Sequence, residues 1–277
     1  IGVIFSLIGC SNQNEPADTS AKTEGVVDEA SDTSAKTKSA VDKIKERGYI
    51  TIGTSPDCPP SEFIIIEDGK EKIVGSDIAI AEEIAKDLGV ELRINTMAFD
   101  GLLLELDLGN IDLVLASLVP TEERAKAVDF SDIYSTGEQA IMIKEENINL
   151  FKTLDDFSGK KIGVQLTSIQ EAIAYEQLPN ASITSLNNIS NIIMDLNSGN
   201  IDGCIVPKDI AELYIKQYPT LAIANVEIQY DEKGSAVAIK KGNSDLVEQV
   251  NKTIARLKEA GLIEQFKKDA YELLSKQ

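Results

Sequence analysis

The sequence GNID occurs twice, at residues 109–112 and 199–202, and each copy joins a helical pattern to an apolar strand pattern. The longer stretches are LELDLGNIDLVLAS, residues 104–117, and MDLNSGNIDGCIVP, residues 194–207. Both place a helix end, the Gly-Asn-Ile-Asp turn and a strand at the same offsets. Chance reuse of a common joint is one explanation. Two lobes of similar topology are the other, and the rest of the chain favours them.

Short apolar strands alternate with amphipathic helices from residue 49 onward, which is the pattern of an α/β fold. A second series of the same kind begins near residue 139. Helical apolar spacing is clearest in GSDIAIAEEIAKDLG. We predict strands at residues 49–55, 90–97, 111–117, 140–144, 160–165, 181–186, 201–207 and 235–242, and helices at residues 75–89, 99–110, 168–177, 189–198, 208–217, 244–260 and 262–275.

Two lobes also fit the length, because 277 residues exceed the usual size of one domain. The last two predicted helices have no strands to cover unless the chain returns to the first lobe. We therefore expect a split lobe 1 of residues 41–135 and 239–277, a lobe 2 of residues 139–234, and hinge crossings at residues 136–138 and 235–238. A two-stranded hinge allows the lobes to close on a ligand.

The composition excludes several classes of partner. A net charge of −19 disfavours nucleic acid and anionic membrane surfaces, since both require basic patches. The chain has no His and three scattered Cys, so we expect no zinc cluster, no other metal and no cofactor. No stretch reaches the roughly 20 apolar residues of a membrane span.

The first ten residues, IGVIFSLIGC, form an apolar run that ends in Leu-Ile-Gly-Cys. This ending resembles the bacterial lipobox, so we expect residues 1–10 to be a signal-peptide remnant and Cys10 to be lipidated. A frayed apolar end with a buried cysteine is the alternative. Residues 11–40 carry almost no large apolar side chain, which predicts a disordered tether with a reach on the order of 30 Å.

An arginine stands at an unusual place in LASLVPTEERAKAVDFSD, residues 115–132. Pro120 and Thr121 are typical of a helix start, and Arg124 then falls in the first turn, where a helix already presents positive charge. An external anion, held by the helix amides and the guanidinium together, would explain the position. The alternative is that Arg124 pairs with Glu123 or Asp129 on a solvated face.

From about residue 41 to residue 277 the chain resembles the extracellular solute-binding proteins of polar amino-acid ABC importers, family 3. The resemblance rests on landmarks in the family's order: TSPDCPPSEF, VGSDIAIAEEIAKDLG, FDGLLLELDLGNIDLVLAS, PTEERAKAVDFSD, GKKIGVQ and AVAIKKGN. It implies a two-lobe periplasmic-binding-protein fold of type II. Each lobe is then a mixed sheet flanked by helices, two crossings join the lobes, and the ligand lies between them.

The resemblance also implies a ligand site. Arg124 takes the position that clamps the α-carboxylate of the ligand, and its planar fork suits a carboxylate. Backbone amides near Val119 and at the helix start near Ser168 complete the carboxylate half. The ligand-binding residues implied in this way are Asp57, Ser61, Ser76, Ser117, Val119, Arg124, Thr167, Ser168, Ile169 and Pro207.

The amine half of the implied site departs from the family pattern. Pro207 stands where the family has an acid that holds the ligand ammonium, and Val119 stands where a hydroxyl often helps. The remaining acceptors are the Ser117 carbonyl and, after rearrangement, Asp209 or Asp57. Burying an ammonium without a charged acceptor costs several kcal/mol.

This chain also has fewer aromatic side chains at the implied ligand site than the family pattern. Ser61 and Ser76 replace rings, and Cys58 follows Asp57. Phe63 is the nearest ring that remains, and its strand position predicts a core residue. A polar cup suits a hydrophilic ligand side group.

Cys58 and Cys204 raise the question of a disulfide across the cleft. Such a bond needs Cα atoms within about 7 Å and would lock the hinge. We therefore expect two free and mostly buried thiols, with Cys58 the more accessible.

The resemblance implies a receptor and no enzyme. We expect a monomer, lipid-anchored on the outer face of the bacterial cell membrane and touching the membrane through its N-terminal lipid alone. It would carry a small polar amino acid, or a related carboxylate, to an ABC permease with a cytoplasmic ATPase. Two alternatives are a dehydratase-like enzyme acting on a cyclic carboxylate and a sensory ligand-binding module.

Overall fold

A computed structural model describes residues 38–231 and 233–276 of the chain. The predicted lipobox and residues 11–37 of the predicted tether lie outside the described residues. In chain order the strands and helices are α1 (Ala40–Arg47), β1 (Tyr49–Thr54), β2 (Asp57–Cys58), β3 (Glu62–Glu67), β4 (Lys70–Val74), α2 (Ser76–Leu88), β5 (Glu91–Thr96), α3 (Leu102–Leu108), β6 (Leu113–Val114), α4 (Arg124–Ala127), β7 (Val128–Phe130), β8 (Gln139–Lys144), β9 (Lys161–Gln165), α5 (Ile169–Gln177), β10 (Ser182–Leu186), α6 (Ile189–Ser198), β11 (Gly203–Pro207), α7 (Lys208–Gln217), β12 (Leu221–Ile223), β13 (Ala238–Lys240), α8 (Ser244–Glu259) and α9 (Leu262–Leu274).

Two five-stranded mixed sheets organise these elements. The sheet of lobe 1 has the order β5-β1-β6-β13-β7, and the sheet of lobe 2 has the order β10-β9-β11-β8-β12. In each sheet the first three strands are parallel and the fourth runs antiparallel to the third. A small antiparallel sheet, β2-β3-β4, adjoins lobe 1. The predicted α/β fold with two mixed sheets is confirmed.

The GNID repeat is the joint that makes the two sheets alike. Gly109 and Gly199 both end their helices with φ of 79°, a left-handed conformation that favours glycine. The aspartate of each copy then accepts a hydrogen bond from a backbone amide of the neighbouring strand. Asp112 accepts from the Thr51 amide, and Asp202 accepts from the Lys161 amide, each at 2.8 Å. The echo in the sequence is therefore a structural repeat.

Apolar side chains cover both faces of each sheet. In lobe 1 the larger core joins β1 and β5 to α2 and α8, and a second cluster lies under α3. In lobe 2 one core lies under α6 and α7 and the other under α5. The final helices α8 and α9 pack on lobe 1, as the split first lobe requires.

The two crossings run side by side between the lobes. Ser135 and Ser235 form an antiparallel bridge, and the Tyr134 amide donates to the Ser235 carbonyl at 2.9 Å. Ala238, the last residue of the predicted second crossing, already pairs with Val114 and Phe130 in the lobe 1 sheet. The two-crossing topology thus agrees with the expected fold class.

Several predicted boundaries are wrong, among them the strand expected over residues 235–242, which is regular only at Ala238–Lys240. The tether was expected to extend to residue 40, but Ser39 caps α1 by accepting from the Asp42 amide at 3.1 Å, and α1 starts at Ala40. The strand expected over residues 111–117 is regular only at Leu113–Val114. It ends early because the backbone bends at Ser117, whose φ is 49°.

The GNID joint gives a test of stability with a ranked outcome. Asp112→Ala leaves the amide of a buried residue, Thr51, unpaired and also removes the partner of Arg47. A loss of about 1–3 kcal/mol in the free energy of unfolding is expected. Asp202→Ala breaks the solvent-exposed counterpart and should lose less than about 1 kcal/mol. Chemical denaturation would measure both, and an equal or reversed ranking contradicts this assignment.

Candidate functional site

A cavity of about 90 Å³ lies between the two lobes, at the ends of β6, β9 and β11. The lobes are bonded to each other across it, so the structure describes a closed cleft. Among the predicted ligand residues, those that line this cavity are Asp57, Ser61, Ser76, Ser117, Val119, Arg124, Ile169 and Pro207.

Arg124 reaches from lobe 1 to lobe 2. One guanidinium nitrogen, Nη1, donates to the Val119 carbonyl at 2.7 Å, and Nη2 donates to the Thr167 carbonyl at 2.8 Å. Burial lowers the pKa of Arg124 to about 10, and the charge of Glu123 opposes this shift. The group therefore stays cationic at neutral pH, bound to carbonyl dipoles in the cleft wall.

The alternative partners of Arg124 are not used. Asp129 pairs with Lys241 at 2.9 Å and accepts from the Gly242 amide. No ion pair within residues 38–231 and 233–276 includes Arg124, and Glu123 acts on it only through its charge. The guanidinium charge is thus available to an anion in the cleft.

The helix predicted to start at Pro120 and Thr121 begins later in the chain. It starts at Arg124 itself and spans one turn, because β7 follows directly at Val128. Thr121 still acts as expected for a cap, since its hydroxyl accepts from the Arg124 amide at 3.2 Å. The turn fixes where the arginine side chain leaves the backbone.

Three backbone N–H groups complete an anion site with Arg124. Val119, Ile169 and Gln170 all line the cavity, and their amides have no hydrogen-bond partner among the described residues. Two of them lie in the first turn of α5, where a helix presents unpaired donors to anions. Donors from both lobes thus meet at one place.

Thr167 and Ser168 were predicted to bind the ligand, but in the structure they bond to neighbouring protein groups. The Thr167 amide donates to Glu171 at 2.7 Å, and the Ser168 hydroxyl donates to the Gln165 carbonyl at 2.7 Å. Neither residue lines the cavity. Thr167 acts instead through its carbonyl on Arg124, with a φ of 60°, and Ser168 caps α5 by accepting from the Glu171 amide at 3.2 Å.

Ser61 and Ser76 lie next to each other on the wall of lobe 1. The Ser76 amide donates to the Pro60 carbonyl at 3.1 Å, and the Asp77 amide donates to the Ser61 carbonyl at 2.9 Å. These bonds dock the segment after β2 onto the start of α2. The two backbone hydrogen bonds thus bring together the serines that were predicted to form a polar wall of the ligand site.

Asp57 is bonded to the opposite lobe. Its Oδ2 accepts from the Ile189 amide at 2.8 Å and from Gln165 Nε2 at 3.2 Å, while Oδ1 accepts from the Ser55 hydroxyl at 3.1 Å. Burial raises the pKa of Asp57, and these hydrogen bonds oppose the rise. Both carboxylate oxygens are occupied.

A buried acid pair lies behind the cleft wall. Glu62 is 1% exposed, and its Oε2 has no hydrogen-bond partner in the described part of the chain. Burial first, and then the charge of Asp77, raise the pKa of Glu62 well above its usual value. Burial also raises the pKa of Asp77, although Asp77 accepts from Tyr134 Oη at 2.5 Å and from the Ser117 amide at 2.9 Å. Asp77 thereby holds Ser117 in its left-handed conformation.

No free carboxylate is found at the place of the family's ammonium acceptor. Pro207 ends β11 and lines the cavity. Asp209 lines it as well, but it pairs with Lys267 of α9 at 2.6 Å. Asp57 is bonded as described above, so the rearrangement considered for both acids is not seen in the closed cleft.

Tyr230 is one aromatic ring that lines the cavity, and Phe99 is another, which was not predicted from the sequence. Its centroid lies 5.5 Å from Arg124 Cζ, and it lines the cavity. Phe63 is 5% exposed and packs against α9, as its strand position predicted. Phe99 was hidden because it lies in a 3-10 turn, Phe99–Gly101, before α3 and outside any strand end.

Three glutamines of lobe 2 were also missed. Gln170 Nε2 donates to Gln139 Oε1 at 2.6 Å, and Gln165 donates to Asp57. All three line the cavity. The rule that ligands bind at the carboxyl ends of parallel strands would have found Gln165, because it is the last residue of β9.

Both cysteines of the described chain are free and buried, as expected. Burial raises the pKa of Cys204 to about 12 and that of Cys58 well above its usual value. Cys58 is the more exposed at 9% against 0%, yet it packs among apolar residues of lobe 2. No group of three Cys, Asp or Glu among the residues described is arranged to hold a metal ion, and no helix there is long and apolar enough to cross a membrane.

Comparison with known proteins gives one consistent family. The profile of the bacterial extracellular solute-binding proteins, family 3, matches residues 50–271. The arginine-binding extracellular protein ArtP of Bacillus subtilis is 35% identical over 222 residues, which cover 79% of this chain and 84% of that protein.

Solved structures are similar over the same region. One is the amino-acid ABC transporter substrate-binding protein AbpA of Streptococcus pneumoniae bound to L-arginine, with a TM-score of 0.81 and 38% identity over 83% of this chain and 98% of that one. Another is the ancestral amino-acid-binding protein AncCDT-1, a precursor of cyclohexadienyl dehydratase, with a TM-score of 0.76 and 30% identity over 83% of this chain and 99% of that one.

The buried acid pair gives a prediction on pH. A carboxyl group with a raised pKa binds more protons in the folded state than in the unfolded state. Its contribution to the free energy of unfolding is therefore fully present below the usual pKa, which is 4.5 for Glu, and is lost as the pH rises through the pKa of the folded state. The free energy of unfolding should fall above that pH, by up to about 1.4 kcal/mol per pH unit for one group. Glu62→Gln should flatten this fall, since an amide does not ionise.

Denaturation at pH 5.5 and 7.5 would measure the slope. Glu67→Gln, at an exposed position of the same strand, makes the same change in net charge and is the control. Equal slopes for the parent and Glu62→Gln would contradict the assignment.

Proposed function

Because the chain belongs to the bacterial extracellular solute-binding proteins of family 3, we propose that it is a receptor that binds an amino acid between its two lobes and delivers it to an ABC importer. The geometry that supports this most strongly is the anion site of the cleft. A charged guanidinium and unpaired amides from both lobes surround one cavity.

The ligand carboxylate would bind to Arg124. The guanidinium has no carboxylate partner of its own among the described residues, and the amides of Val119 and Ile169 have no acceptor. An α-carboxylate satisfies these donors and holds both lobes at once, since Val119 belongs to lobe 1 and Ile169 to lobe 2. Charge-assisted hydrogen bonds of this kind are roughly twice as strong as neutral ones.

The ligand side chain would be cationic. Of the five acids that line the cavity, Glu62 has a raised pKa that favours its neutral form, three pair with lysines, and Asp57 is in no ion pair among the described residues. The chain as a whole is strongly acidic, and such a charge raises the local concentration of cations. The similarity to ArtP and to AbpA, whose bound ligand is L-arginine, supports the same choice. The acids are Asp57, Glu62, Glu138, Asp209 and Asp231, and the basic residues are Arg124 and Lys267.

Ammonium binding would rest on neutral acceptors. Pro207 offers no carboxylate, and Asp209 is paired. The backbone carbonyl at Ser117, next to the cavity, is the acceptor that the family comparison leaves, and Asp77 fixes its position through the Ser117 amide. We expect amine-containing ligands to bind, with part of the affinity supplied by the side chain.

A dehydratase is the weaker alternative. It is suggested by the similarity to AncCDT-1 and would require an acid open to the cavity. Glu62 has the raised pKa of such an acid, but it is nearly fully buried and lies against Asp77. A thermal-shift screen of the twenty amino acids and of cyclic carboxylates separates the two functions, because a bound ligand raises the melting temperature.

The receptor would be held at the outer face of the membrane by a lipid on Cys10. Support comes from the Leu-Ile-Gly-Cys ending and from the polar residues that follow it. Cys10→Ser should move the protein from the membrane fraction to the soluble fraction while leaving amino-acid affinity unchanged. Retention of the variant in the membrane fraction, with no lipid mass on Cys10 in the parent, would sink the proposal of an anchor.

Arg124 gives the direct test of the binding site. Arg124→Ala should lower the affinity for L-arginine by at least roughly 30-fold, because truncating one partner of a buried charge pair costs about 2–5 kcal/mol. Arg124→Lys should recover only part of this, since an ammonium lacks the fork. The melting temperature without ligand should change little, because no carboxylate pairs with Arg124 in the described chain.

Calorimetry measures these affinities. Arg93→Ala makes the same change in charge at the edge of the lobe 1 sheet, where Arg93 lies over the Tyr49 ring, and is the matched control. The proposed site is wrong if Arg124→Ala binds L-arginine as tightly as the control.

A further inference from the structure

Asp57 is a buried side chain of lobe 1 that is hydrogen-bonded to lobe 2. It lies on the short strand β2 and is 7% exposed. Two of its three side-chain hydrogen bonds come from lobe 2, namely those from the Ile189 amide and from Gln165 Nε2. The third comes from Ser55 in its own lobe and orients the carboxylate.

The Ile189 amide is the first of helix α6. An amide in this position has no acceptor inside its helix, and the helix there presents partial positive charge. The helix's own cap, Asn188, accepts from the Asn191 amide at 3.2 Å and leaves the Ile189 amide unpaired within lobe 2. Asp57 therefore supplies both an acceptor and a negative charge to a helix of the opposite lobe.

Cys58, the next residue, extends the same contact. It packs in the apolar cluster that contains Ile189, Ile193 and Cys204 of lobe 2. Strand β2 thus inserts one charged and one apolar side chain into lobe 2. Opening the cleft would return both Asp57 and the Ile189 amide to water.

The ion pair between Lys267 and Asp209, which also joins the two lobes, is weaker than the contact of Asp57. Lys267 and Asp209 lie 2.6 Å apart, but their side chains are 28% and 36% exposed. Ion pairs that remain exposed to solvent contribute little to an equilibrium, whereas buried charge-assisted hydrogen bonds contribute more. Two contacts can thus bias the position of the lobes: the bond from Arg124 to the Thr167 carbonyl and the contact of β2, which is the one buried among apolar residues of lobe 2.

We propose that Asp57 is a closing residue, which caps helix α6 of the opposite lobe and stabilises the closed cleft whether or not a ligand is bound. It is a positioning residue and makes no necessary contact with the ligand. A bias of this kind sets the apparent affinity for every ligand that requires closure, because affinity scales with the fraction of binding-competent molecules. The effect on affinity rests on the proposed function, and the effect on closure does not.

The first readout is the separation of the lobes without ligand. Spin labels on Glu91→Cys in lobe 1 and Glu176→Cys in lobe 2, in a Cys10→Ser background, report the distance distribution; both positions are exposed, while Cys58 and Cys204 are buried. Asp57→Ala should shift the ligand-free protein toward the long distance. Asp57→Asn should shift it less, because its amide oxygen can still accept from Ile189.

The second readout is affinity for two amino acids. L-arginine and L-glutamine should lose affinity by the same factor in Asp57→Ala, on the order of tenfold. Asn188→Ala is the matched control, since it removes a cap of the same helix in both open and closed states. It should lower the melting temperature without changing the label distances.

Three results would overturn the proposal. One is a ligand-free parent that shows only the long label distance, and another is a label distance that stays the same in Asp57→Ala. The third is a loss of affinity for L-arginine alone, which would make Asp57 a direct contact of a cationic side chain. If neither amino acid binds the parent, the proposed function fails, while the label distances still test Asp57.

Discussion

The bond from the GNID aspartate to the neighbouring strand is the constraint on which the two lobes depend. Asp112 and Asp202 each accept from a backbone amide of an adjacent strand, Thr51 in β1 and Lys161 in β9, so β6 and β11 start in fixed register beside these strands. The carboxyl ends of these strands consequently face the same cleft. Every loop that carries a site residue follows from this placement, because parallel strands deliver their loops at one edge.

The cleft combines donors that neither lobe offers alone. Lobe 1 contributes Arg124 and the Val119 amide, and lobe 2 contributes the first amides of α5. Arg124 already joins the lobes through the Thr167 carbonyl. An anion placed there completes the same bridge, so binding and closure share one set of contacts. This coupling is what a receptor that presents a closed form to its importer requires.

The sequence predicted the elements better than the contacts. Apolar periodicity located α6 and α7 to the residue, and the GNID echo predicted the paired sheets. Arg124, singled out by its unusual position at a helix start, lines the cavity between the lobes, and its role in binding stays a prediction. The contacts of Asp57 and Phe99 were not predicted, because each depends on how the closed lobes meet. The spacing of apolar residues predicts a single helix or strand, and it does not predict which residues of the opposite lobe that element contacts.

The central claim is that an amino-acid carboxylate lies between Arg124 and the amides of Val119 and Ile169. A crystal structure of the protein with L-arginine tests it most directly. We expect a closed cleft in which the α-carboxylate of L-arginine lies within hydrogen-bond distance of the Arg124 guanidinium and of backbone amides from both lobes. A ligand whose carboxylate points away from Arg124, or one bound to a single lobe of an open cleft, would contradict it.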